Sequence, residues 1–321
     1  MSRALIASKL IESVRSRAMI PDDISVYSDE AILDILNEEV SVGLLDTLLT
    51  LHEENLVTYT DVQPYTESEY KKRIVIPHRA VGSKLRDVHS IVGQSSFELS
   101  RIGLDEIGDY NNYPYANYVG SNLFYVEGDE IVIIGPSTGS NTYRLYYHLT
   151  PNQLVLENTC AQISAIDTET GVIQFDSIPS TFTSLTQADI VQNNNPNRIY
   201  ATDIAVSSVS IPTRSLTISP NSLPRRLEVG DWICFPGTTP YVNVPAELQP
   251  VLAQRAAVYI LEAIGDAQNL QSAVTKLQRM EKAVQKLLDN RVEGANKKIK
   301  SRHGFLQNKI GSRNRVRRGS W

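Results

Sequence analysis

Apolar residues recur at helical spacing near the start of the chain. In SRALIASKLIESV they share one face of a predicted helix, which Pro21 ends. A second helix is predicted with Ser28 as its N-cap, a break near Gly43 and an end at about His52. The apolar face of the first helix consists of Leu5, Ile6, Leu10, Ile11 and Val14.

From Leu56 the apolar period changes to two, which is typical of β-strands. Segments such as KRIVIP, YRLYYHLT and DWICFPG are rich in β-branched and aromatic residues and are separated by Gly, Pro, Asn and Asp. Gly128 and Gly171 predict two tight hairpin turns, because glycine adopts positive φ without strain. This two-residue alternation continues to about Val244 and predicts an antiparallel β-sandwich or barrel.

Helical spacing returns after Pro245. One helix is predicted to begin near Gln249, and Asp266 is a suitable cap for another. The second helix carries an apolar stripe that packs in its own subunit or against a neighbour, and packing in its own subunit is the simpler interpretation. The stripe consists of Leu270, Val274, Leu277, Met280, Val284 and Leu287.

Neither helical end can bury its apolar face alone, so we expect the two ends to form one helical bundle. The predicted fold class is α+β. Residues 1–55 and 245–290 supply the bundle, residues 56–244 form an inserted antiparallel β-sandwich or barrel domain, and residues 291–321 form an extended basic C-terminal arm.

Charge separates the arm from the rest of the chain. Residues 291–321 contain ten Lys/Arg and one acid, whereas the first 290 residues contain 21 basic and 35 acidic residues. The arm shows no apolar periodicity, so we expect it to be disordered when free. It can dock on a protein, bind nucleic acid or only improve solubility. Apolar residues among the basic ones favour protein docking, since purely electrostatic binding does not need Phe305, Leu306, Ile310, Val316 and Trp321.

The sequence offers no catalytic or metal-binding motif. Its five histidines are scattered, and HExxH, GxSxG and a P-loop are missing. Cys160 and Cys234 have no CxxC spacing and are expected to be reduced and partly buried, with a disulfide between them as the less favoured alternative. We therefore expect no enzymatic activity, no cofactor and no metal. No apolar run is long enough to span a bilayer, so no membrane association is expected.

The stretch DYNNYPYANY is rich in tyrosine and asparagine, which are adaptable contact residues. A plain solvent-facing loop is the simpler interpretation, and a contact surface for another protein is the alternative. The contact residues would be Tyr110, Tyr113, Tyr115 and Tyr118.

Several segments resemble the head-to-tail connector (adaptor, or neck) proteins of tailed bacteriophages. They are VPAELQPVLAQRAAVYILEAIGDAQNLQSAVTKLQRMEKAVQKLLDNRVEG and the earlier RIVIPHRAVGSKLRDV, FYVEGDEIVI, YRLYYHLT and VGDWICFPG. The resemblance covers most of residues 56–294.

The resemblance implies a structural virion protein located in the neck below the portal vertex, and in the host cytoplasm during assembly. It implies a homo-oligomeric ring, dodecameric in this family, that binds the portal protein and offers a platform to tail proteins (a nozzle or the next ring). Genomic DNA would pass through the ring without sequence-specific binding. Portal docking by the arm would use Lys297, Lys298, Lys300, Arg302, Phe305, Arg315, Arg317, Arg318 and Trp321.

Two alternatives remain open from the sequence. One is a nucleic-acid-binding protein that grips DNA with the basic arm. The other is a β-rich tail component that binds carbohydrate.

Overall fold

The computed structural model describes residues 5–20, 27–51, 53, 56–68, 71–105, 123–134, 142–194 and 199–288. These residues form a mixed α+β protein with helices at both ends of the described chain and strands between them. The helices are α1 (Ala7–Ala18), α2 (Asp29–Glu38), a π-helical turn (Glu39–Gly43), α3 (Leu45–Leu51), α4 (Gln249–Ile264) and α5 (Ala267–Leu288).

Two predicted helix starts are confirmed by their capping contacts, whereas the ends expected at Pro21 and at about His52 lie outside the described residues. Ser28 accepts a hydrogen bond from the Ala31 N–H at 3.3 Å and so caps α2. Asp266 accepts one from the Asn269 N–H at 3.1 Å at the start of α5. The break expected near Gly43 is the π-helical turn, after which the chain resumes as α3.

Helices from both ends of the chain contribute to one hydrophobic core. Leu10 and Val14 of α1, Leu36 of α2, and Leu252 and Ile260 of α4 are buried together there. Each helix supplies an apolar stripe that would otherwise be exposed to water. Burial of these stripes is therefore the main favourable contribution to the stability of the helical core.

Two buried glutamines on α4 fix its neighbours. Gln249 accepts a hydrogen bond from the Leu5 N–H at 2.8 Å. Gln254 accepts one from Arg17 at 2.8 Å and donates one to the Ala273 carbonyl at 3.4 Å. The buried amides are therefore satisfied while they join α4 to both α1 and α5.

The first nine strands form two sheets. One has the order β1-β9-β4-β5 and the other β2-β3-β8-β7-β6. The strands are β1 (Val57–Val62), β2 (Tyr65–Ser68), β3 (Lys71–Val75), β4 (Ala80–Val92), β5 (Ser95–Glu98), β6 (Ser100–Arg101), β7 (Leu123–Glu127), β8 (Glu130–Ile134) and β9 (Thr142–Leu149). Val88 and Leu145 of the first sheet and Ile131 and Ile133 of the second lie in one core, so the sheets pack against each other.

Six later strands close into an antiparallel barrel with the order β11-β12-β15-β14-β13-β16. The strands of the second part are β10 (Gln153–Leu154), β11 (Ala161–Asp167), β12 (Val172–Phe175), β13 (Gln187–Val191), β14 (Ile199–Ser210), β15 (Ser215–Ile218), β16 (Trp232–Cys234) and β17 (Thr238–Thr239). The barrel has its own core, which includes Ile163, Phe182 and Ile190. The barrel bears out that part of the prediction, although the described strands between 56 and 244 enclose several separate cores.

Both predicted hairpin turns are confirmed. Gly128 joins β7 to β8 with φ of 64°, and Gly171 joins β11 to β12 with φ of 74°. Gly171 also lies against the Ile218 carbonyl of β15, where any Cβ would clash. Glycine is required at this second turn for both reasons.

A buried ion pair joins the two β-units, which are the pair of sheets formed by β1–β9 and the barrel formed by β11–β16. Asp189 of β13 is fully buried, and both of its oxygens accept hydrogen bonds from Arg79, at 3.0 and 2.8 Å. Asn152, which follows β9, donates to the same carboxylate at 2.8 Å and accepts a hydrogen bond from Arg79. The N–H groups of Asp203 and Gly237 donate to it at 2.9 Å each. Four segments of chain therefore converge on one carboxylate.

Replacing Asp189 by Asn keeps the side-chain shape and removes the charge. The buried Arg79 guanidinium would keep only the more distant Asp203 carboxylate, at 3.6 Å, so we expect the free energy of unfolding to fall by up to about 3–5 kcal/mol. Chemical denaturation measures this loss. Glu12→Gln, which removes the exposed Lys9–Glu12 ion pair, should leave the denaturation midpoint nearly unchanged. Equal midpoints for the two variants would refute the role given to Asp189.

Candidate interaction surfaces

Thirteen predicted contact residues lie outside the described residues. They are the nine portal-docking residues between Lys297 and Trp321 and the four tyrosines Tyr110, Tyr113, Tyr115 and Tyr118. The six residues of the apolar stripe on α5 lie within the described part.

The apolar stripe of α5 packs only in part. Val284 is buried in the helical core, and Leu270, Leu277 and Met280 pack against it. Ala273, which was not predicted, is also buried there, whereas Val274 is half-buried. Leu287 is 72 % exposed. Packing inside the subunit therefore accounts for the middle of the stripe and leaves its last residue uncovered.

Arg255 of α4 holds α5 and the π-helical turn together. Its Nε and Nη2 donate to Glu281 Oε1 at 2.9 and 2.6 Å. Its Nη1 donates to Glu39 Oε2 at 3.3 Å and to the Gly43 carbonyl at 3.2 Å. A Cβ on Gly43 would lie 2.7 Å from Arg255 Nη1, so a larger residue would displace the guanidinium. Sequence periodicity could not indicate this contact, because the partners are far apart in the chain.

The remaining face of α5 is basic. Lys276, Arg279, Lys282 and Lys286 are all exposed, whereas Glu281 is turned towards Arg255. The helix therefore presents a cationic surface immediately before the basic segment 291–321.

A second surface is the outward face of the sheet β1-β9-β4-β5. The Arg144 guanidinium lies 4.1 Å from the centroid of the Tyr59 ring and donates to both oxygens of Asp61, at 2.7 and 2.8 Å. The Asp61 carboxylate raises the pKa of Arg144 above its ordinary value. Tyr146 packs between the rings of Tyr59 and His89, with centroid distances of 5.8 and 5.0 Å.

This sheet face has the composition of a protein-contact surface, because Tyr and Arg are enriched in such surfaces. Tyr59 is 53 % exposed, so part of its ring is open to a partner. The alternation of Tyr59 and Asp61 along β1 and of Arg144 and Tyr146 along β9 was visible in the sequence, but the pairing of the two strands was not.

The two cysteines are free and buried, as expected. Strands β11 and β16 pair Ala161 with Ile233, and the same register places Cys160 opposite Cys234. Burial, followed by the contact with the Cys160 thiol, raises the pKa of Cys234 well above its ordinary value. Within the described ranges, no three His, Cys, Asp or Glu residues are grouped so that they could hold a metal ion.

The chain matches no protein-family model and no curated protein sequence. None of the described helices is both long enough and apolar enough to cross a bilayer.

The raised pKa of Cys234 predicts an alkaline loss of stability. At alkaline pH the folded protein keeps the Cys234 proton, which the unfolded chain releases. The contribution of this thiol to the free energy of unfolding is therefore complete below the unfolded-state pKa and is lost as pH rises towards the folded-state pKa. Above about pH 8.5 we expect the free energy of unfolding to fall by up to about 1.4 kcal/mol per pH unit.

Urea denaturation across this pH range measures the slope. The Cys234→Ala variant should show a shallower slope, since it lacks this buried thiol. Identical slopes for the two proteins would contradict the prediction.

Proposed function

We propose that this protein is a structural head-to-tail adaptor in the neck of a tailed bacteriophage. In this proposal the segment 291–321 binds the portal protein, the helices form one bundle that closes into a ring around the DNA channel, and the β-units carry the tail. The proposal starts from the resemblance of residues 56–294 to connector proteins. It needs neither catalysis nor a cofactor.

The observation that carries the proposal is the placement of α5. One face of the helix is fixed to the helical core through Val284 and through Glu281, which binds Arg255. The exposed face is cationic, and the chain continues from Leu288 towards the segment with ten Lys/Arg. A rigidly held helix is a suitable origin for an arm that reaches another protein.

Charge and apolar residues in the arm support docking on a protein. The basic residues attract an acidic surface, and Phe305, Leu306 and Trp321 are anchors that pockets can bury. Weak single arms become a stable joint when a ring presents many of them at once.

The net negative charge of residues 1–290 supports a channel through which DNA passes without binding. The first 290 residues have 14 more acids than bases. A surface with this excess repels phosphate, so duplex DNA would slide past it.

The β-units supply surfaces for tail proteins. The described candidate is the outward sheet face with Tyr59, Arg144 and Tyr146. The tyrosines between 110 and 118 remain a second candidate.

The test is co-sedimentation with purified portal rings and, separately, with duplex DNA. It compares the full-length chain, a truncation after Asn290, and a full-length variant whose arm keeps every charge but loses its apolar anchors. The substitutions in that variant are Phe305→Ser, Leu306→Ser, Ile310→Ser, Val316→Ser and Trp321→Ser.

We expect the full-length chain to saturate the portal and the truncation to lose binding. The variant without anchors should bind the portal at least about tenfold more weakly, since hot-spot anchors typically contribute 2 kcal/mol or more. If this variant binds portal as well as the natural sequence does, docking is purely electrostatic. If only DNA sediments with the arm, with steep salt dependence, the nucleic-acid alternative replaces the proposal.

A further inference from the structure

Helix α2 carries a stripe of carboxylates on its outward face. Glu30, Asp34 and Glu38 are spaced at i, i+4 and i+8, so they lie above one another on one side of the helix, and all three are exposed. The whole segment 27–51 contains no Lys or Arg. Like charges at this spacing destabilise a helix, so a counter-charge from elsewhere would stabilise it.

Helix α5 carries the matching stripe of cations. Lys276, Arg279, Lys282 and Lys286 follow one another at steps of three, three and four residues and are exposed on one side of the helix. No ion pair within the described residues includes a member of either stripe. The charged neighbours of the stripes are paired elsewhere: Glu39 and Glu281 with Arg255, and Asp29 with Arg15.

The two stripes also agree in length. At a rise of 1.5 Å per residue, the acidic stripe spans about 12 Å and the basic stripe about 15 Å. Both helices pack against α4, and Arg255 of α4 binds Glu39, directly after α2, and Glu281 of α5.

An exposed apolar residue stands at the C-terminal end of each stripe. Val42 follows Glu38 and is 74 % exposed, and Leu287 adjoins Lys286 and is 72 % exposed. If the two helices met in parallel, these side chains would lie at the same end of the contact and could cover each other.

We propose that the partner of the α2 stripe is the α5 stripe of a second copy of this chain, so that copies join head to tail. Such a contact is heterologous: each copy gives its acidic face to one neighbour and its basic face to the other, and a ring or chain of copies follows. This inference rests on the proposed function in taking the protein to be a ring. It adds the two faces that join the copies.

The test reverses the charge of each stripe in the full-length chain. The acid-reversed variant carries Glu30→Lys, Asp34→Lys and Glu38→Lys. The base-reversed variant carries Lys276→Glu, Arg279→Glu, Lys282→Glu and Lys286→Glu. Circular dichroism checks that each variant is folded, and sedimentation velocity at protein concentrations up to the millimolar range measures association.

We expect the natural sequence to associate at about 50 mM salt and to dissociate at about 500 mM, where charges are screened over a few ångströms. Each variant alone should associate at least tenfold more weakly. An equimolar mixture of the two variants should recover association, because one then has two basic faces and the other two acidic faces. A chain with both reversals should also recover.

Several results would overturn the inference. They are an unchanged association of either variant alone, a mixture that does not recover, and the absence of salt-sensitive association of the natural sequence at any concentration. A mixture that recovers but stops at dimers would replace the head-to-tail contact by a two-fold one. None of these results touches portal binding by the arm, so failure of the stripes is distinguishable from failure of the proposed function.

Discussion

The carboxylate of Asp189 is withdrawn completely from water, and a buried charge is tolerated only where its surroundings replace the lost hydration. Here Arg79, Asn152 and the N–H groups of Asp203 and Gly237 replace it. Each donor comes from a different segment, so moving any one of them removes part of the compensation for the buried charge. The relation between the two β-units follows from this one requirement.

The same region connects the β-units to the helices. The backbone N–H of Asn152 donates a hydrogen bond to Asn243 Oδ1 at 3.2 Å, and Asn243 lies shortly before α4. Asn37 of α2 exchanges two hydrogen bonds with the backbone of Leu154, at 3.1 and 2.7 Å. The segment between β9 and β11 is thus hydrogen-bonded both to α2 and to the chain that precedes α4.

Local features of the fold were predictable from the sequence because their causes are local. Ser28 and Asp266 cap helices through atoms a few residues away, and Gly128 and Gly171 are required by turns of a few residues. The division of the strands among separate cores was not predictable, since a period of two gives the buried face of a strand but not its neighbours. Arg79, Asp189 and Arg255 were missed for the same reason: each has partners far away in the chain. Of the candidate sites, only the middle of the α5 stripe could be tested against packing, and Leu287 shows that an apolar pattern does not reveal which residues the subunit itself covers.

The closure of the helical core by residues from the two ends of the chain has a consequence for synthesis. The Leu5 N–H pairs with Gln249, 244 positions away, and the Ala7 N–H pairs with the Pro240 carbonyl at 2.9 Å. Helices α1 to α3 leave the ribosome roughly 200 residues before α4, which at 5–20 residues per second is a delay of about 10–40 s. During that interval α4 is not yet available to cover the apolar face of α1, while the strands of the two β-units are still being made. The nascent chain therefore exposes the apolar face of α1 until α4 has been made, and α4 is one of the helices that bury that face.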